Sequence, residues 1–358
     1  MKKLFYKMDA FNFVPFQKTP WAGSQISKLK KKSFPQTKRD LPLKIGESWE
    51  VSTEPSFPSK VCMNEHLTDL SLKDLFMRDG KRILGKLIVE KYGFHSPLLL
   101  KWLSSELALS LQLHPKNNHP LLKKNECGKP ESWLILNSKE NSFVYLGFQE
   151  GFSKNQIIDS FLKKTPEKFL YRFQVKKLDY ISVPTGCVHA LGPHLFLAEP
   201  QYVLPEKIAK TWRLFDWNRL YDDQGNLSSK GHPRDLHFEE ALCAIDWDLP
   251  RGKELEKLFV KKMQHGIPFL GDKNNPFALN LYCEEGEFLY TPLQKGFFSI
   301  LTVWSGEVFV NSNLEVLHLV AGESAIISAD ACDIYVTLIK KDNKLPQAAF
   351  FAFNDGVV

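Results

Sequence analysis

Pro97-Leu-Leu-Leu-Lys-Trp-Leu-Ser-Ser-Glu-Leu-Ala-Leu-Ser-Leu-Gln-Leu-His-Pro115 sets the architecture of this chain. Residues 97–103 form a nearly continuous apolar run broken only by Lys101, the mark of a strand buried on both faces. Residues 107–114 alternate more loosely and stop at Pro115. Strand side chains alternate in direction, so Gln112 and His114 face the same side. Outward from here, 133–136 and 143–148 read as two strands separated by a polar turn, and 178–183 and 195–198 as two more. Ser153-Lys-Asn-Gln156 is a capping-box pattern. Ile157, Ile158, Phe161 and Leu162 follow at helical spacing, which predicts a short helical insertion near 153–170. A second helix is expected over 235–245, with Phe238, Leu242 and Ile245 on one face.

Beyond Pro250 the pattern changes. Short apolar runs at 297–303, 308–310, 325–327 and 334–338 are punctuated by Gly271, Gly286, Gly306 and Gly322. They predict a second, smaller β-sandwich or barrel. Residues 1 to about 60 hold several prolines and read as irregular. The expected fold is mainly β, with one domain over 1–250 and another over 251–358. A chain of 358 residues is long enough for two such cores.

Hydrophobic residues make up 43% and charged residues 25%, the balance of a folded soluble protein. The net charge of +6 owes much to Lys28, Lys30, Lys31, Lys32, Lys38 and Arg39, which read as a solvated loop. No nucleic-acid-binding motif accompanies that charge, so no nucleic-acid partner is expected. No 18-residue apolar run occurs, and no membrane span is expected. The N-terminus has lysines but no sustained apolar region, which argues against a signal peptide. Cys62, Cys127, Cys187, Cys243, Cys283 and Cys332 are scattered and form no CxxC pair, as for free thiols in a reducing, cytoplasmic compartment.

Three segments carry candidate chemistry. The first holds Gln112 and His114. The second, Gly128-Lys-Pro-Glu-Ser-Trp133, sets a carboxylate beside a lysine. The third is Val183-Pro-Thr-Gly-Cys-Val-His-Ala-Leu-Gly192, in which Gly186 turns the chain into a strand bearing His189. Taken singly, each histidine reads as an ordinary core or surface residue. Two histidines, a glutamate and an amide oxygen together suit zinc or a similar divalent ion. Lys101 in an apolar run is costly to bury unless a charge partner or an anionic ligand meets it. His119 reads as structural, and His194, His232, His237 and His265 lie outside any ligand pattern. His318 is alone in its strand-like run, so no metal site is expected in the C-terminal half.

These phrases resemble, in order, the motifs of class I mannose-6-phosphate isomerases. The resemblance covers roughly residues 10 to 250. It begins with Trp21-Ala-Gly23 and Gly46-Glu-Ser-Trp-Glu-Val-Ser52. It runs through Pro97-Leu-Leu-Leu-Lys101, Leu109-Ser-Leu-Gln-Leu-His-Pro115 and Gly128-Lys-Pro-Glu-Ser-Trp133. It closes with the His189 segment and Thr211-Trp-Arg-Leu-Phe-Asp-Trp-Asn-Arg219. It implies a cupin (jelly-roll β-barrel) catalytic domain, a cupin-like second domain and one zinc ion per chain. The implied zinc ligands are Gln112, His114, Glu131 and His189. The pocket positions it implies are Glu47, Lys101, Ser110, Lys129, Glu199 and Arg213. The segment from Glu199 to Arg213 is longer and differently composed than in many relatives.

The implied activity interconverts mannose 6-phosphate and fructose 6-phosphate by proton transfer through an enediol. Lys129 and Arg213 are the cations for phosphate or a developing oxyanion. Either Glu47 or Glu199 would be the base. Arg213 could instead form a structural salt bridge with Asp216 or a neighbour. Two rival readings remain: a sugar-phosphate-binding regulatory cupin without catalysis, and an isomerase of another hexose phosphate. The expected partner is a small sugar phosphate; oligomeric state stays open, with a monomer favoured.

Overall fold

The computed structural model describes residues 3–63, 66–272 and 275–354. It is mainly β. A six-stranded antiparallel sheet runs in the order Val260–Lys262, Asp179–Val183, Glu131–Ser138, Leu195–Tyr202, Leu98–Ser104, Glu47–Val51. A five-stranded antiparallel sheet faces it, in the order Leu170–Gln174, Phe143–Phe148, His189–Leu191, Leu111–Leu113, Trp212–Phe215. Leu103, Trp133, Ile135, Val144, Leu146 and Leu197 share the core between the two sheets.

The pleat sorts the side chains of the six-stranded sheet. Leu98, Leu100 and Trp102 belong to an outer core, with Leu134, Leu136, Phe196 and Ala198 from neighbouring strands. The residues between them therefore point inward, Lys101 with Leu103, Glu131 with Trp133, Glu199 with Leu197. The five-stranded sheet does the same. Leu111 and Leu113 pack outward against the helices Lys154–Leu162 and Phe238–Ala244. This leaves Ser110, Gln112 and His114 for the inner face.

The C-terminal half forms a second pair of sheets around its own core of Leu301, Val303, Val310, Ile334 and Val336. Each half lends an edge strand to the other. Phe5–Lys7 pairs with Glu323–Ile327 in the C-terminal half, and Val260–Lys262 pairs with Asp179–Val183 in the N-terminal half.

The expected helix at 153–170 is Lys154–Leu162, with Ser153 and Gln156 forming a reciprocal capping box. The expected 235–245 helix is shorter, Phe238–Ala244. Asp235 offers its carbonyl to the Arg213 guanidinium at 2.6 Å and His237, the N-cap, donates its N–H to the Arg213 carbonyl, so the segment before Phe238 is engaged by the Arg213 strand. The described part of 1–60, residues 3–60, is not irregular. It includes the strands Phe5–Lys7 and Glu47–Val51 and the helix Gln25–Ser33. The helices Leu72–Ile83 and Lys86–Tyr92 also went unread in the sequence.

The basic stretch is solvated as expected at Lys28, Lys31, Lys32, Lys38 and Arg39, but its first part is helical and one lysine is an exception. Lys30 is fully buried on its helix. Its ammonium lies 3.0 Å from Glu50 Oε1, 2.6 Å from the Gly322 carbonyl, and over the Trp102 ring. Ser324 donates to the other oxygen of Glu50 at 2.9 Å. One ion pair thus ties helix, N-terminal sheet and C-terminal sheet together. Lys30→Ala leaves Glu50 as a buried, unpaired charge and is expected to cost about 3–5 kcal/mol in denaturant unfolding. Adding Glu50→Gln to Lys30→Met should recover part of that loss. Equal stability of Lys30→Ala and the unaltered protein would show that the pair contributes nothing.

Candidate functional site

The residues singled out by the sequence converge on one place. A cavity of about 330 Å³ opens between the two sheets of the N-terminal half. Seven of them line it: Glu47, Lys101, Ser110, Gln112, Lys129, Glu199 and Arg213. The other three, His114, Glu131 and His189, sit beside it as a buried cluster whose ligand atoms lie within 4.8 Å of one another. A larger cleft of about 790 Å³ lies between helix Gln25–Ser33 and the C-terminal half and holds none of these residues.

Backbone register builds the cluster. Gln112 pairs with His189 on one side and Arg213 on the other. The Gly186 N–H donates to the His114 carbonyl at 2.8 Å, tying the two histidine segments together. Gly186 has φ +80°, and a Cβ there would lie 2.8 Å from Asp246 Cβ and 3.0 Å from the Ala244 carbonyl oxygen. Only glycine fits that turn.

The histidines have fixed tautomers. Nδ1 of His114 lies 3.0 Å from the Lys210 carbonyl, and Nδ1 of His189 lies 2.9 Å from the Cys187 carbonyl. A carbonyl only accepts, so each Nδ1 carries its proton. Burial drives both rings toward the neutral form, His189 down to about 3. Each Nε2 is then a bare lone pair. They point at Glu131, 3.1 Å from Oε2 and 3.4 Å from Oε1, and neither makes a well-formed hydrogen bond. Two lone pairs confronting a carboxylate repel unless a cation stands among them. The donor set, two neutral imidazoles and a carboxylate, fits a divalent transition metal. The carbonyls on Nδ1 are the outer partners that orient histidine ligands.

Charge around the cluster is layered. Burial alone would raise the carboxyl of Glu131, but the Lys129 ammonium at 3.1 Å outweighs it and holds it well below the ordinary range. Burial would lower Lys129, but Glu131, Glu199 and Glu47 keep it above its ordinary value. Glu47 is likewise opposed by burial yet held low by Lys101 at 3.4 Å and the Trp49 indole N–H at 2.9 Å. Lys101 also stacks over the Trp49 ring at 4.1 Å, and this partner explains how a lysine survives in an apolar strand. Glu199 moves the other way. Burial and then Glu131 push its carboxyl up to about 8, against Lys129 and Lys101.

Arg213 does not pair with Asp216. Arg234 occupies that carboxylate with two bonds of 2.7 Å. Arg213 instead donates through Nε to Ser110 Oγ at 3.1 Å and through Nη1 to the Asp235 carbonyl, which sets its guanidinium in the cavity wall. Sequence reasoning missed Arg234, Trp49 and Gln201. Gln201 was readable, since it stands two residues beyond Glu199 on the same strand and so on the same face.

Residues 13–141 match the family described as the phosphomannose isomerase type I catalytic domain. Over that segment the chain is similar to the type I phosphomannose isomerases. It is 28% identical over 226 residues to a mannose-6-phosphate isomerase of Streptococcus mutans, an alignment covering 63% of this chain and 64% of that one. It is 27% identical over 204 residues to one from Bacillus subtilis, covering 57% and 59%. These alignments span just under two thirds of the relatives' own lengths. The crystal structure of the mannose 6-phosphate isomerase from Bacillus subtilis superposes with a TM-score of 0.73 at 22% identity, over 97% of this chain and 99% of that one, so the fold is shared. The phosphomannose-isomerase segment thus includes Gln112, His114 and Glu131, while His189 lies beyond it.

The lone-pair confrontation at Glu131 predicts that a divalent cation stabilises the fold. Zinc added to metal-free protein at about 100-fold over its Kd should add about 2.7 kcal/mol, seen as a rise in Tm. His189→Ala should remove the rise. A cation-independent Tm in the unaltered protein would refute the site.

Proposed function

We propose that this protein is a zinc-dependent aldose–ketose isomerase that interconverts mannose 6-phosphate and fructose 6-phosphate. One observation carries the reading: the buried His114–Glu131–His189 cluster adjoins a cavity whose wall holds Glu199, Lys129, Lys101 and Arg213. The names of the relatives support the substrate, and the chemistry of the wall suits an anionic sugar. The N-terminal half, 1–250, is read as the metal-binding cupin barrel, and 251–358 as a cupin-like domain without a metal site. In that second half His318 is paired with Glu307 at 2.9 Å. The cytoplasm is the proposed compartment and a monomer the proposed state.

Gln112, His114, Glu131 and His189 are the residues that would hold zinc. Zinc bound there supplies Lewis acidity toward the oxygens of the reacting carbons and a template for them. The chain's own side chains do the rest. Isomerisation moves a proton between C1 and C2 of the open sugar through an enediol. Glu199 is the proposed proton carrier. Its carboxyl is poised near the working pH, where a general base also gives its proton back readily. Glu47 is the weaker choice, because Lys101 and Trp49 hold it ionised and engaged. Its role is to orient Lys101. Lys129, beside Glu131, faces the developing oxyanion. Arg213 and Ser110 with Lys101 receive the phosphate.

Coupled assays with mannose 6-phosphate and glucose 6-phosphate separate this reading from its rivals: turnover of mannose 6-phosphate alone is expected. Turnover of glucose 6-phosphate alone, or binding without turnover, would overturn it. Arg213→Ala or Lys129→Ala should lower kcat/KM roughly tenfold to a hundredfold with little change in melting, each losing a charge-assisted bond of about 1.5–3 kcal/mol. Glu199→Gln should lose about 10²–10⁴-fold with metal content intact, and Glu47→Gln much less. Full activity in Glu199→Gln would remove it from the mechanism.

A further inference from the structure

Gln201 is fully buried on the Leu195–Tyr202 strand, with Glu131 as its register partner on one side. Its side-chain nitrogen lies 3.0 Å from Glu131 Oε2 and 2.6 Å from Glu199 Oε2. An amide nitrogen has two protons, and each meets one carboxylate. Glu131 and Glu199 both accept from this one amide, and when both are ionised they repel and neither can donate to the other. The amide supplies what both lack. Glu199 is held at its other oxygen too, by the Trp133 indole N–H at 3.2 Å. Both oxygens of Glu199 are therefore pinned from behind by residues that do not line the cavity. The Gln201 carbonyl oxygen is buried with no hydrogen-bond partner. An unpartnered buried oxygen is costly, and a residue kept there despite it has a use that packing does not explain.

We propose that Gln201, with Trp133, is a positioning residue that fixes the Glu199 carboxylate in the orientation needed for proton transfer while leaving its negative charge uncompensated by any cation at that bond. This rests on the reading of Glu199 as the proton carrier. A carboxylate free to rotate would swing toward Lys129 or Lys101 and form an ion pair in place of attacking a carbon-bound proton. A neutral donor holds it without quenching it. Substrate binding does not involve Gln201, so its loss acts on kcat and leaves KM nearly alone.

The test is a double-mutant cycle with Glu199. Gln201→Met keeps the length and removes both donors. It is expected to lower kcat roughly tenfold to a hundredfold, the worth of one charge-assisted bond, with KM within about threefold and about one zinc per chain retained. In the Glu199→Gln background the same change should cost less than about twofold, because there is no longer a carboxylate to position. Trp133→Phe should show the same suppression, which keeps the test open if Gln201→Met folds poorly. A loss of equal size in both backgrounds would make Gln201 merely structural and overturn the proposal. So would unaltered kcat in Gln201→Met alongside an impaired Glu199→Gln. Full activity in Glu199→Gln alone would instead overturn the assignment of Glu199, and this proposal with it.

Discussion

A carboxylate withdrawn from water needs donors or positive charge around it. Glu131, only 3% exposed, imposes that need at the centre of the N-terminal half. Lys129 and the Gln201 amide meet part of it, and the two histidines present only lone pairs. The remainder is a place for a cation. Much else follows from this arrangement. Lys129 stays charged because three carboxylates surround it, and Glu199 resists ionisation because it is buried and, after that, because Glu131 is already ionised. Two carboxyl groups of one kind are thereby driven to opposite behaviour by their surroundings, the condition that separates a metal ligand from a proton carrier.

The pleat turns this electrostatic problem into sequence. On the strands Leu98–Ser104, Glu131–Ser138 and Leu195–Tyr202 the outward face packs into apolar core, and the inward face sets Lys101, Glu131 and Glu199 beside Leu103, Trp133 and Leu197. That is why the strand runs and the candidates Gln112, His114, Glu131, His189 and Lys101 could be picked out of the sequence. The family resemblance joined the first four into one ligand set and added Glu47, Ser110, Glu199 and Arg213. The long Glu199–Arg213 connection does not displace Glu199, because the residue lies within a strand paired on both sides, opposite Lys101 on one of them.

What stayed hidden has a common cause. Lys30 reads as solvent-facing on composition, and only the distant Glu50 and the Gly322 carbonyl make its burial possible. The Phe5–Lys7 strand exists because a strand more than 300 residues later offers it an edge. Asp216 was placed near Arg213 by sequence, yet Arg234 from beyond the next loop takes it. Each of these depends on a partner far along the chain, and local propensity carries no record of it. The short helices Leu72–Ile83 and Lys86–Tyr92 were missed for a different reason. The first has its own capping box at Ser71 and Asp74, a local signal that could have been read.

The account stands or falls on whether the Glu131 cluster holds a metal that the reaction needs. The most direct measurement is mannose 6-phosphate turnover by chelator-stripped protein during stepwise return of zinc, with bound metal counted at each step. Activity should be absent at the start, rise in proportion to bound zinc, and level off at about one ion per chain. Full turnover in protein shown to carry no metal would contradict it.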